Sequence, residues 1–336
     1  MTIFNKQQKG FTLVELMVSI VIGLFLLAGV LTVFTNSRQS QRVVDEDVRM
    51  MDDARFALET IAYDLRHAGG YGHHNHEGKV NVHNIYDQGL NGVGGKESEF
   101  TTVTDQCGGD ESNWVVDVNK PVFAVNDGSD YLTSCMPYWA QGDTIEMRYA
   151  VPLPASTAAA NLIGNALYLQ SIPERAELFK GNTLPLQTPF QANMANSRFF
   201  LWQARAYYIA NHTDSVGDGL PSLRLASLEP GPIVTNTVLL KGVEDLQVQF
   251  GLDKPVAGQT AGNESASSYA NPAVGMLWNQ AIAARIWLIV RSEKEYPEIV
   301  INKPYEVAGA IRTFNDKYKR IVVSTSVRLR NINTGE

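Results

Sequence analysis

Residues 11–34 read FTLVELMVSIVIGLFLLAGVLTVF, 24 positions with a single charge, Glu15. As an α-helix rising about 1.5 Å per residue, the run would be roughly 36 Å long, enough to cross the hydrocarbon of a bilayer. Whatever the rest of the chain does, this segment must sit in lipid or be reburied against other apolar surface. A secretory signal peptide has a shorter apolar core with its small-residue cleavage site behind it. Here Lys9-Gly10 stands in front, so cutting after Gly10 would leave the membrane helix on the product. Lys6 and Lys9 precede the run and the next basic residue is Arg38. The positive-inside bias therefore predicts a single pass through a membrane, with the start in the cytoplasm and the remainder outside.

That remainder has the composition of a folded protein. Of 336 residues 44% are apolar, which excludes a disordered chain; there is no glycine period for collagen, and one long apolar run does not make a polytopic membrane protein. The net charge is −7, with 35 acidic and 28 basic residues and no basic cluster to follow a nucleic-acid backbone, so no direct nucleic-acid partner is expected.

Glu15 is the anomaly of the apolar run. A carboxylate inside a membrane helix costs about 2.5–3.5 kcal/mol on insertion scales, less near the interface. One reading is an interfacial acid stabilised by the amino-terminal end of the helix dipole. The other is a partner cation from another molecule. If the bond after Gly10 is cut, the new α-amine of Phe11 is such a cation, one helical turn from Glu15.

The helix is predicted to continue beyond the membrane. Val44, Met51, Leu58 and Leu65 recur every seven residues with Val48, Ala54, Ile61 and Ala62 between them, an apolar stripe expected to pack on the chain's own sheet. Asp45, Glu46, Arg49, Asp52, Asp53, Arg55, Glu59 and Asp64 are expected to stay mostly wet. No Pro interrupts residues 11–66, and His67-Ala68-Gly69-Gly70 supplies a stop, with Gly suited to the left-handed position after a helix. About 55 residues of helix would be roughly 80 Å long.

Residues 67–336 read as strands and loops. Residues 144–150, 223–226 and 321–330 alternate with period two, while 199–209, 238–250 and 282–290 are dense in β-branched and aromatic residues. Asp253–Gly275 and Gly69–Gly109 read as exposed, irregular insertions. The expectation is one α+β molecule: a long amino-terminal helix on an antiparallel β-sheet head with long loops.

Lys9-Gly10-Phe11-Thr12-Leu13-Val14-Glu15-Leu16 resembles the class III signal of type IV prepilins and pseudopilins. The resemblance implies a leader, residues 1–10, cut between Gly10 and Phe11 by an inner-membrane prepilin peptidase, N-methylation of Phe11, and a role for Glu15 in setting subunit register. Further segments resemble the PilW family of minor pilins in order and spacing. They are Asp64-Leu65-Arg66-His67-Ala68-Gly69-Gly70-Tyr71, Gly142-Asp143 before Arg148-Tyr149-Ala150, the stretch 242–251, Leu288-Ile289-Val290-Arg291-Ser292 and Leu329-Arg330-Asn331. The type IV pilin fold is implied, with 11–34 as membrane and filament-core helix, 35–68 as its amphipathic half and 69–336 as a periplasmic head.

Cys107 and Cys135, 28 positions apart in an extracytoplasmic domain, favour a disulfide over two unlinked thiols, and neither lies in a C-x-x-C. His76-Glu77 is followed by Val80 where a zinc-protease helix needs its second His, and Gly95-Lys96 lacks the flanking residues of a phosphate loop. His67, His73, His74, His76 and His83 crowd together without an acid or thiol spaced to close a metal site. Asp127, Asp130, Asp214 and Asp218 match no twelve-residue calcium loop. No metal, cofactor or catalytic residue is assigned, and an enzyme is not expected. The expected function is a minor pilin that primes or joins a type IV pilus near its tip. Its partners would be other minor pilins, the major pilin, the inner-membrane assembly platform and a tip adhesin. A pseudopilin of a type II secretion system is the close alternative, and a membrane-tethered periplasmic metal-binding protein the more distant one.

Overall fold

The structure, a computed structural model, describes residues 10–73, 80–82, 114–118, 120–128, 136, 138–164, 166–173, 176–181, 197–230, 233–252, 268–273, 276, 278–296 and 302–332. The chain forms two compact units, Met1–Arg49 and Met50–Glu336. Helix α1, Leu13–His67, is 55 residues long and uninterrupted, as the absence of Pro permits. Its apolar residues from Leu13 to Phe34 are exposed.

In the second unit, strands run β1 (Val80–Val82), β2 (Val122–Val125), β3 (Thr144–Pro152), β4 (Leu167–Ser171), β5 (Ala176–Lys180), β6 (Arg198–Ala210), β7 (Ser222–Glu229), β8 (Ile233–Lys241), β9 (Val243–Leu252), β10 (Ser268–Ala270), β11 (Ala281–Glu295), β12 (Pro304–Val307), β13 (Ala310–Thr313) and β14 (Tyr318–Arg328). The larger sheet has the order β1-β5-β4-β6-β3-β2, with β7 beside β6 and β8 beside β7. The second sheet runs β10-β9-β11-β14, and β12 and β13 form a hairpin of their own. All described pairs are antiparallel except β1 with β5, which is parallel, so the long helix on an antiparallel β-sheet head expected from the sequence is what the chain forms.

Period-two alternation explains how one strand serves two cores. On β6, Tyr207 and Ile209 join the core beneath the helix, while Trp202, Ala204, Ala206, Tyr208 and Ala210 join a second core on the other face with Tyr71, Trp114 and Met136. The helix core draws on both sheets: Ala54, Ala57, Leu58, Ile61 and Leu65 meet Ile145 and Met147 of β3, Val248 and Phe250 of β9, and Ile286 and Leu288 of β11. Ala54 and Ala57 are fully buried, and their small side chains let the strands approach the helix axis.

Four expectations need correction. The seven-residue stripe does not hold along its length, because an ideal helix drifts about 20° per heptad. Val44 and Val48 are more than half exposed and Met51 is 38% exposed, while Met50 and Ala57 join the buried face. Asp64, expected to be wet, is fully buried. The run 238–250 is two strands in different sheets, split at Gly242, whose φ of +78° needs glycine and whose Cβ would stand 2.7 Å from Arg291 O. Part of the Asp253–Gly275 insertion is also ordered: β10 pairs with Gly251 and its neighbours on β9.

Candidate functional site

At the amino end, Gly10 and Phe11 precede the helix and are exposed, Phe11 at 88%. Thr12 caps α1 with Glu15 three residues on. The Thr12 N–H donates to Glu15 Oε2 at 3.0 Å, the Thr12 hydroxyl donates to the same oxygen at 3.1 Å, and the Glu15 N–H donates back to Thr12 Oγ1 at 3.3 Å. This is a capping box, which satisfies amide groups that the first turn leaves without carbonyl partners. The T-x-x-E spacing that forms it stands in the sequence, and the reading of Glu15 as a mere dipole partner overlooked it. The hydroxyls farther along the apolar run are also satisfied internally: Ser19 donates to Glu15 O at 2.7 Å and Thr32 to Ala28 O at 2.9 Å. Such back-bonding leaves no side-chain hydroxyl unbonded on a surface suited to lipid.

The other end of the helix is seated by charge. The Tyr149 hydroxyl of β3 donates to Asp64 Oδ1 at 2.7 Å, and the Tyr207 hydroxyl of β6 to Oδ2 at 2.5 Å. Arg205, also on β6, donates to both oxygens at 3.0 and 3.3 Å. Burial, followed by the adjacent Asp64 carboxylate, pushes both tyrosine hydroxyls well above their ordinary range, so they remain donors at any physiological pH. Three side chains from two strands thus compensate one buried charge and fix the rotation of the helix on the sheet.

The helix stops in a backbone knot. Gly69, with φ of +79°, donates its N–H to Arg148 O at 2.9 Å, and Ala150 donates to Gly70 O at 2.9 Å. Asn331, beyond β14, donates its side-chain amide to Arg66 O and His67 O at 3.2 and 3.3 Å, covering carbonyls that the last turn cannot satisfy. Between these contacts, the Arg148 side chain is buried, donating to Trp114 O, to Lys120 O at 2.5 Å and to Glu146 Oε2 at 2.5 Å.

A second knot joins the two sheets. The Asp143 carboxylate accepts the N–H groups of Asp127 and Val248 at 3.0 and 2.7 Å, and the Asp143 N–H donates to Leu246 O at 2.7 Å. Gly142 before it has φ of +83°, and a Cβ there would meet Asp245 Oδ1 at 2.6 Å. Burial raises the Asp143 carboxyl to about 7, and the neighbouring Asp127 and Asp245 push in the same direction. Arg312, from β13, bridges Asp127 at 2.9 Å and Asp245 at 3.1 Å.

Of the other candidate residues, Cys107, Cys135, His74, His76, His83 and Asp130 lie outside the described residues. His67 sits against the rings of Tyr63 and Tyr149, and His73 Nδ1 lies 3.1 Å from Ser171 Oγ. Asp214 pairs with Lys241 at 2.6 Å. Asp218 accepts from the Thr213 hydroxyl, the Leu220 N–H and three further backbone N–H groups, which hold its carboxyl far below the usual range. Among the described residues no three His, Cys, Asp or Glu side chains gather as a metal site would require.

Comparison with known proteins supplies matches at both ends. Residues 206–331 match the family of Type IV Pilus-assembly protein W, and residues 5–31 match the prokaryotic N-terminal methylation motif. A type IV-like pilin from Thermus thermophilus aligns at 13% identity over 63% of this chain and 85% of its own, with a TM-score of 0.29, a likeness too slight to carry an argument. No curated protein sequence matches the chain. Asp64–Tyr71 and Gly142–Ala150 fall outside the matched region, yet their partners Arg205, Leu246, Val248 and Asn331 lie in it or at its border. A methylation motif that takes in most of the apolar run and a PilW-family region in the head support a PilW-like type IV minor pilin.

Proposed function

We propose that the protein is a minor pilin, held in the inner membrane by residues 11–34 with its head in the periplasm until it is drawn into a type IV pilus. The observation that carries this reading is the apolar run from Leu13 to Phe34, exposed throughout and opening with a prepilin methylation motif. Such a surface leaves lipid only if it is reburied, and neighbouring helices of the same kind rebury it. In this reading the peptidase cuts between Gly10 and Phe11 and Phe11 is methylated. The Glu15 carboxylate, which caps its own helix here, then meets a neighbour's Phe11 amine. The head is too large and loop-rich to be repeated at every position of a thin filament, which favours a scarce subunit near the tip, touching other minor pilins, the major pilin and an adhesin. Cys107 and Cys135 would be joined as a disulfide in the oxidising periplasm.

Glu15→Val tests the assembly role. The variant should remain in the inner membrane at wild-type amounts and be depleted from sheared filaments; equal recovery would remove Glu15 from assembly. Deleting the gene should sharply lower surface pili while the major pilin still accumulates. Normal piliation with failed secretion of extracellular enzymes would instead favour a secretion pseudopilin.

A further inference from the structure

We propose that the outer edge of β14 is a docking site for an extended acidic segment of another polypeptide, which adds to the four-stranded sheet as a further strand. β14 pairs with β11 along one side, Arg320 opposite Arg291 through Arg328 opposite Ala283. It ends the order β10-β9-β11-β14, so among the described residues no strand lies on its other side. A row of backbone N–H and C=O groups is therefore presented outward. Folded proteins ordinarily blunt such an edge with charges, Pro or a bulge, because it is a template for any passing strand.

Residues 321–327 have none of these devices. They read Ile-Val-Val-Ser-Thr-Ser-Val, without charge or Pro, and the register against β11 shifts only earlier, between Arg291 and Glu295. Ile321, Val323 and Val327 pack inward on the helix core, while Val322, Ser324 and Ser326 face out and are exposed. Five β-branched residues in seven favour the extended backbone that strand addition needs.

The exposed charges of β14 itself stand at the two ends of this stretch and share one sign, while Glu293 and Glu295 are exposed on the adjacent β11 beside the Lys317 end. Lys317, Arg328 and Arg330 are exposed, and no acidic residue occurs from Lys317 to Arg330 in a chain whose net charge is −7; Arg285 of β11 is no part of this rim, its guanidinium lying 3.7 Å from the Tyr269 ring centre on the β10 side. Arg320 is excluded from this rim, being held by Glu244 and Asp316 at 2.5 Å each. Two copies joined through β14 in antiparallel fashion would set the Lys317 end of each against the Arg328 end of the other; parallel joining would set identical basic ends side by side. Like charges across a ladder are destabilising, so the rim rejects a second copy and accepts a strand with Asp or Glu at its ends. β8, which ends the ladder beyond β7, has no such rim: Glu229 and Lys241 flank it with opposite signs. In strand addition the main chain provides affinity and the flanking charges provide choice.

The test uses the purified full-length protein in a non-ionic detergent and two fluorescent nine-residue probes. One is Val-Thr-Val-Thr-Val with two acidic residues at each end, the other the same core with two lysines at each end. Anisotropy titration should show the acidic probe binding at least about tenfold more tightly. In the variant Lys317→Glu with Arg328→Glu and Arg330→Glu the preference should invert, a gain of binding that a misfolded protein could not give. N-methylation of alternate amides of the acidic probe distinguishes a ladder from ionic adhesion: one register of methyl groups should abolish binding and the other leave it intact. Equal binding of the acidic and lysine probes, no saturable binding of either, or indifference to both N-methyl patterns would overturn the proposal.

Discussion

Asp64 shows how a single buried charge can decide a helix's orientation. With Arg205 and two tyrosine hydroxyls aimed at it, the carboxylate fits only one rotation of α1 on β3 and β6. Asp64→Ala would leave Arg205 and both hydroxyls without their acceptor at a buried site. The expected loss is about 3–5 kcal/mol in denaturant unfolding of the full-length protein in detergent. Asp64→Asn, which keeps an acceptor, should lose less. Asp143 sets a pH dependence of the opposite kind from an ordinary ion-paired acid. Its carboxyl, raised from 3.8 to about 7, binds its proton more tightly in the folded chain than in the unfolded one. That contribution is fully present below the unfolded value, declines as pH rises from about 4 to 7, and is flat above. Asp245, also raised by burial, adds to the same trend, whereas Asp316, lowered by its bond to Arg320, acts only at more acid pH. Thermal midpoints of the wild type should therefore fall between pH 4.5 and 7.5 more than those of Asp143→Asn; parallel profiles would remove Asp143 as the source.

At the scale of elements, the helix end and the strand corners depend on glycine and on one distant amide. Gly69→Ala would hold a Cβ-bearing residue at φ of +79°, 2.9 Å from Asn331 O, and should cost about 1–3 kcal/mol. Asn331→Ala, which removes only the bonds to the last-turn carbonyls, should cost about 1 kcal/mol, with amide exchange accelerated first in residues 64–70. Local pattern made most elements legible. The helix runs from the Thr12 cap to His67, and the alternation at 144–150, 223–226 and 321–330 falls on β3, β7 and β14. Partnership across the chain was not legible. Nothing near Asp64 announces that Tyr149 and Arg205, 85 and 141 residues away, will bury it. Nor does the apolar density of 238–250 reveal that Gly242 sends β8 and β9 to different sheets, because periodicity describes a face and not the neighbour that covers it.

For the molecule as a whole, most of the segments that resemble the PilW family meet: the helix end, β3 and the chain after β14 form the knot that seats α1, while the Gly142-Asp143 turn and β9 form the knot that joins the two sheets. Their scatter along the sequence hides that the end of α1, from Asp64 to Gly70, is held by residues far away in the chain. The role proposed for that helix outside the head rests on its exposed apolar surface and on the proposed processing at Gly10-Phe11, and the amino-terminal peptide tests the processing. Mass spectrometry of sheared, washed surface filaments should recover this protein's first peptide beginning at Phe11 and carrying one methyl group on its α-amine. Recovery of peptides containing residues 2–9 from those filaments, or of no peptide of this chain while the major pilin is abundant, would contradict its incorporation as a processed pilin.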